Sequence, residues 1–170
     1  MKEKGHSLIG AMSALVISGS IIVTAVPTLA ALLEKNQKTQ NINQMMGLLH
    51  YARSTAVLRR STVTLCSGFE QCNETQRWSD HILIFIDHNH DGIRDDEDEL
   101  LRQVTLTEGH SWRWSNFRQK TYSQFAENGR PRALNGTFSL CHKNSTTQQI
   151  VINVTGRVRT QSLQKSASCN

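Results

Sequence analysis

The sequence predicts an α+β fold in which one long N-terminal helix, membrane-spanning in its first half, packs on a mainly antiparallel β-sheet domain. Three observations support this prediction. A segment without charged residues runs from His6 to Leu33, a helical repeat of apolar residues continues to Arg60, and short alternating runs separated by turn residues follow. Helical and strand patterns are thus segregated along the chain, as in α+β proteins. The 170 residues leave room for one globular domain.

The apolar segment is long enough to cross a membrane. As a helix rising about 1.5 Å per residue, it spans a hydrocarbon core of roughly 30 Å. Lys2 and Lys4 precede it, so the positive-inside bias predicts a cytoplasmic N-terminus and an exported C-terminal domain. Pro27 lies inside the segment, where it removes one backbone hydrogen bond and favours a kink. The candidate cleavage site, Gly5, lies before the apolar run, whereas ordinary secretory signals are cut after it.

The helix is predicted to continue beyond the apolar segment. No proline occurs between Asn36 and Arg60, and apolar residues recur there at steps of three and four, which places them on one helical face. These residues are Ile42, Met45, Leu49, Ala52 and Ala56. We therefore predict four segments along the chain, namely a leader at 1–5, a transmembrane helix at 6–33, an amphipathic extension at 34–60 and a globular β-rich domain at 61–170.

Strands are predicted wherever apolar and polar residues alternate or apolar residues form a short continuous run. The predicted strands are 62–65, 81–86, 99–106, 137–140 and 149–159. If the last of these is continuous, alternate side chains face the core, namely Ile150, Ile152, Val154 and Val158. Asn153, Thr155, Arg157 and Arg159 then face solvent. A turn at Gly156 would break this alternation.

The four cysteines all lie in the predicted domain. An even number without a C-x-x-C pair indicates disulfides formed in an oxidising compartment, in preference to a zinc site. Three connectivities are open to four cysteines, and local loop closure favours one of them. We predict that Cys66 pairs with Cys72 and that Cys141 pairs with Cys169.

An acidic segment after the predicted strand 81–86 has the spacing of a calcium-binding loop. Oxygen-bearing residues occupy its first, third, fifth, ninth and twelfth positions, with Gly92 at the sixth. They are Asp87, Asn89, Asp91, Asp95 and Asp98. The segment departs from the calcium pattern because it follows a strand and has Arg94 at position eight. The alternative is an acidic turn in which Asp87 and Asn89 accept bonds from nearby backbone amides. A zinc site at His88 and His90 lacks a third ligand nearby.

A basic motif, Gly156-Arg157-Val158-Arg159, ends the last predicted strand, and the formal net charge of the chain is +5. Two arginines that are two residues apart on a strand lie about 6 to 7 Å apart, which suits contacts with neighbouring phosphates of double-stranded DNA. Such contacts are electrostatic and independent of sequence. Possible companions in the same patch are Arg130, Arg132 and Lys165. The alternative is a charged strand edge that only prevents aggregation.

Two further features bear on function. Trp112 and Trp114 lie two residues apart and are read as half-buried strand aromatics or, alternatively, as a platform for base stacking. The chain contains no Gly-rich phosphate loop, no H-E-x-x-H and no G-x-S-x-G. These absences argue against an enzyme, and we predict no cofactor apart from the calcium considered above.

Several peptides of the chain resemble a known family. Lys4-Gly5-His6-Ser7-Leu8-Ile9 and the helix that follows resemble the type III signal and first helix of type IV pilins and pseudopilins. Later peptides are similar to the FimT/GspH minor pilins. They are Ala52-Arg53-Ser54-Thr55-Ala56-Val57, Val63-Thr64-Leu65-Cys66, Phe85-Ile86-Asp87 through Asn89-Asp91-Gly92, Gly136-Thr137-Phe138-Ser139-Leu140-Cys141 and Thr155-Gly156-Arg157-Val158-Arg159.

This resemblance implies a biological context. A prepilin peptidase would cut after Gly5, leaving His6 as a methylated N-terminus. The protein would sit in the bacterial inner membrane with a periplasmic C-terminal domain and would later enter a pilus or pseudopilus with other pilin subunits. In FimT-like proteins the Gly-Arg-x-Arg motif, here Gly156, Arg157 and Arg159, binds DNA during natural transformation. The alternative is a GspH-like pseudopilin of a type II secretion system, or a pilus-priming subunit, with no nucleic-acid binding.

Two positions depart from the family pattern. His6 stands where the mature chain usually begins with Phe, and Gly10 stands where a Glu is usual. A Glu inside an apolar bundle is costly unless it is paired, and its partner in pilins is the N-terminal amine of a neighbouring subunit. Because Gly10 cannot form that pair, the resemblance implies a place at the filament tip or in an initiating complex. The alternative is drift in a rarely used subunit.

Overall fold

The computed structural model describes residues 8–132, 135–142, 145–162 and 169, with the backbone alone for residues 21–24 and 147. The chain divides into two compact units, residues 1–40 and residues 41–170. One helix, α1 (Leu8–Arg59), is followed by nine strands in the described part of the chain. The strands are β1 (Val63–Ser67), β2 (Arg77–Trp78), β3 (His81–Ile86), β4 (Leu100–Thr105), β5 (His110–Asn116), β6 (Ser123–Phe125), β7 (Gly136–His142), β8 (Ser145–Ile152) and β9 (Val158–Gln161).

The first unit carries the apolar part of α1. An 18-residue window of this helix has a mean hydropathy of 2.1, so it is long and apolar enough to cross a membrane. Its apolar side chains, such as Leu15 and Leu29, are exposed, and Pro27 lies inside the helix. Gly5 and His6, the predicted cleavage and methylation sites, lie outside the described residues.

The part of α1 that belongs to the second unit buries the apolar face that the sequence predicted. Ile42, Met45, Leu49, Ala52 and Ala56 are all buried in the core. The helix ends at Arg59, where Arg60 adopts a φ of 50° and the Ser61 amide donates to the Ala56 carbonyl at 3.2 Å. This bond is the 6→1 bond of a Schellman motif, which stops the helix and turns the chain into β1.

The strands form two antiparallel sheets. The four-stranded sheet has the order β4-β3-β1-β6, and the five-stranded sheet has the order β2-β5-β7-β8-β9. The α+β class is thereby confirmed, although the sequence did not reveal the division into two sheets. It also missed β2 and β6 as strands and gave no bounds for β5, where Trp112 and Trp114 were interpreted as strand aromatics. The strands β2 and β6 have only two or three residues, too few for an alternation to be seen.

Tryptophans fill the core beside the five-stranded sheet. Trp78, Trp112 and Trp114 are at most 1% exposed, and the Trp114 ring stacks on Phe138 with centroids 4.2 Å apart. The indole Nε1 of Trp114 donates to the Tyr122 carbonyl at 2.9 Å. The prediction that Trp112 and Trp114 are half-buried is therefore wrong, and so is the stacking-platform alternative, because buried rings cannot receive a base.

The predicted strand 149–159 is two strands. β8 ends at Ile152, β9 begins at Val158, and the two pair as an antiparallel hairpin. Ile150, Ile152 and Val158 are buried as predicted, but Val154 is 66% exposed because it lies in the connecting turn. Arg157 and Arg159 are exposed, as predicted.

Both predicted disulfides are present. Cys66 is bonded to Cys72, and Cys141 to Cys169. The first closes a small loop after β1. The second attaches residue 169, near the C-terminus, to β7, and Cys169 is itself buried. All four cysteines are thus paired.

Candidate nucleic-acid interface

The turn between β8 and β9 presents the Gly-Arg-x-Arg motif, and Asn153 organises it. The Asn153 side-chain oxygen accepts from the Thr155 amide at 3.0 Å and from the Arg157 amide at 2.9 Å. The Gly156 amide donates to the Asn153 carbonyl at 2.9 Å. Asn at the first position of a turn favours such bonds to its own following backbone. Arg157 therefore directly follows a turn whose backbone is held in place by these hydrogen bonds.

Two glycines bring the two Gly-Arg segments of the chain together. Gly156 has a φ of 77°, and a Cβ added there would lie 2.2 Å from the carbonyl oxygen of Gly129. Gly129 also has a left-handed φ, of 72°. Residues with a Cβ disfavour this conformation, and backbone contact this close needs glycine. The turn at Gly156 and the turn at Gly129 consequently pack directly against each other.

Arg53, on α1, binds both of these turns. Its Nε donates to the Gly129 carbonyl at 2.9 Å and its Nη2 to the Thr155 carbonyl at 3.4 Å. The rigid guanidinium fork suits this bridging of two carbonyls. Sequence reasoning missed Arg53, because an arginine on a helix carries no signal of which loops it will meet. Its place next to the buried Ala52 was the only hint that it borders the core.

The segment 129–132 adds two more arginines. Pro131 is buried and bridges to Phe125, whereas Arg130 and Arg132 are exposed. The Ala126 amide donates to the Arg130 carbonyl at 2.8 Å, and this bond closes the turn between residues 126 and 130. Arg130, Arg132, Arg157 and Arg159 form no ion pair with any described residue. We call these four the basic surface. Lys165, the remaining predicted member, lies outside the described residues.

The acidic loop is organised around Asp87, which is fully buried. Its Oδ2 accepts from Thr64 Oγ1 at 2.7 Å, from Gln124 Nε2 at 2.7 Å and from the Gly92 amide at 3.0 Å. Gly92 has a φ of 83°, and an added Cβ would lie 2.2 Å from the Tyr122 ring. Oδ1 of Asp87 is buried without a partner among the described residues. The carboxylate thus joins the loop to β1 and β6.

The other candidate calcium ligands bond one another or nearby amides. Asn89 Nδ2 donates to Asp91 Oδ2 at 3.1 Å and to Asp95 Oδ2 at 3.2 Å. Asp98 accepts from the His88 and Asp95 amides, and burial raises the pKa of its carboxyl despite these bonds. Within the described residues, no three His, Cys, Asp or Glu side chains are grouped so that they could hold a metal ion. These bonds are the ones that the acidic-turn alternative requires, and the calcium site stays a prediction.

Comparisons with known proteins agree with this fold. Two crystal structures of the type IV minor pilin FimU of Pseudomonas aeruginosa are similar to the chain, with TM-scores of 0.59 and 0.58. They are 20% and 19% identical in sequence, and the match covers 81% and 78% of this chain and 98% and 99% of theirs. None of the curated proteins compared with the chain matches it.

The sequence model of one family also matches. It is described as type II transport protein GspH, and it covers residues 41–156. This range holds β1 to β8, the acidic loop and both Gly-Arg turns as far as Gly156. Because the match spans more than half of the chain, the protein belongs to the GspH family of type IV pilin-like minor pilins and pseudopilins.

Proposed function

We propose that this minor pilin binds double-stranded DNA without sequence preference through its basic surface and thereby contributes to DNA uptake in natural transformation. The observation that carries the proposal is the pair Arg157 and Arg159, which are exposed, form no ion pair with any described residue and lie at an ordered turn and at the start of β9. Ordering before binding lowers the entropic cost of each phosphate contact. The contacts would be bidentate bonds from guanidinium to phosphate.

The electrostatics support a weak, salt-dependent interaction. Two to four arginine contacts release counterions with a slope of about 0.9 per phosphate, so affinity falls steeply as salt rises. The net charge of +5 favours encounter with a polyanion. Glu127, which is exposed beside Arg132 in one polar cleft, opposes this attraction locally. The test is an anisotropy titration of duplex DNA, in which Arg157→Ala/Arg159→Ala should lose affinity.

We further infer the cellular setting. The apolar part of α1 would anchor the protein in the inner membrane with residues 41–170 in the periplasm, until the subunit joins other pilins in a filament. Pilins and pseudopilins are structural subunits, so we propose no catalytic activity. The second candidate is an assembly subunit of a type II secretion system, which the description of the matching family favours. That subunit would bind other pilins and no DNA.

Arg53 should matter for DNA binding without touching DNA. Arg53→Lys keeps the charge but loses the fork that joins the Gly129 and Thr155 carbonyls, so the two Gly-Arg turns should separate. We expect duplex affinity to fall about threefold to tenfold, equivalent to the loss of one to two hydrogen bonds. Amide hydrogen exchange at Gly156 should rise in parallel.

The control for this change is Arg77→Lys, an exposed arginine on β2, at the edge of the five-stranded sheet away from β9. It should leave both affinity and exchange unchanged. If Arg53→Lys accelerates exchange but binds DNA with full affinity, the position of the turns does not control binding.

Maturation provides a separate test of the pilin assignment. We expect mass spectrometry of protein extracted from membranes to find His6 as the first residue, because a prepilin peptidase cuts after Gly5. Replacing Gly5 by a bulky residue should leave the leader attached. An intact leader on the unaltered protein, in cells shown to contain the peptidase, would contradict the expectation, whereas a missing methyl group would not.

A further inference from the structure

Phe117 is an aromatic side chain almost entirely in solvent. It is 97% exposed, more than any other large hydrophobic residue among those described. It follows β5 directly, and the nearby Arg118 and Lys120 are exposed too. An isolated exposed apolar residue is common on protein surfaces. This one differs because its neighbours are cations and because its loop is held rigidly.

The loop that carries Phe117 is fixed by Asn116. The Asn116 Nδ2 donates to the Lys120 carbonyl at 2.8 Å, and its Oδ1 accepts from the Lys120 amide at 3.0 Å. The Gln119 amide donates to the Asn116 carbonyl at 3.2 Å, and Gln119 adopts a left-handed φ of 55°. These bonds close the loop on itself. Phe117 is therefore displayed by a preformed turn, so little backbone entropy is lost when it meets a partner.

Strand register places this loop at the same end of the sheet as the Gly-Arg-x-Arg motif. Asn116 pairs with Gly136, Gly136 pairs with Ile152, and Ile152 pairs with Val158. Phe117 follows the first of these residues, and Arg157 precedes the last. Three interstrand steps of about 4.8 Å separate β5 from β9, which is roughly 14 Å. A nucleic-acid strand of a few nucleotides covers that distance.

We propose that the Phe117 loop is a second nucleic-acid contact, which stacks on an unpaired base while Arg118 and Lys120 approach the flanking phosphates. The proposal rests on the DNA-binding function above and specifies its ligand, which is nucleic acid with a single-stranded segment or an open end. Aromatic rings flanked by cations are the usual means of binding single strands without sequence preference. The buried tryptophans leave Phe117 as the ring best placed to receive a base at this end of the sheet.

The test uses the full chain in a non-ionic detergent, with fluorescently labelled oligothymidylate as the probe. Phe117→Ala should weaken binding of this single strand about tenfold, since stacking on one aromatic ring contributes on that order. Closed circular duplex, used as a competitor, has no open end and should compete equally well against both proteins for the basic surface.

A second variant reports the stacking itself. The three native tryptophans are buried, so the indole introduced by Phe117→Trp would be the exposed fluorophore. Oligothymidylate should quench its emission, and affinity should be kept. Phe117→Leu retains an apolar side chain but has no π-face, so it should behave like Phe117→Ala. Phe69→Ala is the matched control, because Phe69 is exposed but packs edge-on against His81.

The outcomes separate this inference from the function on which it rests. If duplex binds through Arg157 and Arg159 but Phe117→Leu holds single strands with full affinity, the Phe117 ring does not stack on a base and the inference fails alone. If oligothymidylate does not quench the indole emission of Phe117→Trp, the inference likewise fails alone. If neither single strands nor duplex bind at low salt, both the inference and the DNA-binding function fail.

Discussion

Replacing Arg157 and Arg159 together by alanine should weaken duplex DNA binding by about tenfold or more at low salt, because each arginine neutralises one phosphate. The slope of log affinity against log salt should fall by nearly two, since each lost contact removes about 0.9 of released counterion. Arg157→Lys/Arg159→Lys should keep most of the slope but lose affinity, because lysine cannot form the two-pronged contact. Single substitutions at Arg130 and Arg132 should have smaller effects.

The control for this experiment lies on the same sheet. Arg77 and Arg113 are cross-strand partners on β2 and β5, at the side of the five-stranded sheet away from β9. Arg77→Ala/Arg113→Ala therefore removes the same charge from a neighbouring pair elsewhere. If net charge alone caused binding, both double variants would lose affinity equally, and the basic surface would not be a site. If the unaltered chain does not bind at low salt, the assembly-only candidate replaces the proposal.

Asp87→Ala should lower the free energy of unfolding by about 3 to 5 kcal/mol, because it removes the acceptor shared by three buried donors, one of which, Gln124 Nε2, keeps a second bond to the His90 carbonyl at 3.3 Å. Those donors are Thr64 Oγ1, Gln124 Nε2 and the Gly92 amide. Thermal or denaturant unfolding of the folded domain measures the change. Because these bonds are internal to the protein, we expect the same loss in EDTA and in millimolar calcium.

The matched control in this loop is Asp91→Ala. Asp91 is exposed and accepts from the Ile93 amide at 2.7 Å and from Asn89 Nδ2 at 3.1 Å, and because these bonds lie in solvent its removal should cost only about 1 kcal/mol. A calcium site would need both carboxylates. If calcium raises the Tm of the unaltered protein and Asp91→Ala abolishes this rise, the loop binds the ion. The side-chain amide of Asn89 would then have to release the Asp91 and Asp95 carboxylates.

The calcium prediction rests on spacing alone and stays a prediction. Positions 87 to 98 carry oxygen ligands at the right intervals, yet spacing does not say whether those oxygens will turn toward a common point. In the folded chain Asp87 turns into the core toward Thr64 and Gln124, which come from β1 and β6. These partners are 23 and 37 residues away, so no local pattern could have shown them.

The basic surface was predicted in part. Strand alternation correctly predicted that Arg157 and Arg159 are exposed, although a turn interrupts the predicted strand. Alternation failed at Val154 because Asn153 and Gly156 favour a hairpin turn, and turn chemistry overrides a period of two. The packing of Gly156 on Gly129, and the part that Arg53 plays in it, depends on backbone approach between distant segments.

The sequence by itself determined the long helix, its buried face, the α+β class, both disulfides and the exposure of the two motif arginines. These follow from local periodicity, from an uncharged segment of membrane length and from the closure of short loops. Only the tertiary structure decided the division into two sheets, the burial of the tryptophans, the core position of Asp87 and the alignment of Phe117 with the Gly-Arg-x-Arg turn. Each of these depends on strand register and on contacts between residues far apart in the chain, and single-sequence patterns do not encode which strands become neighbours.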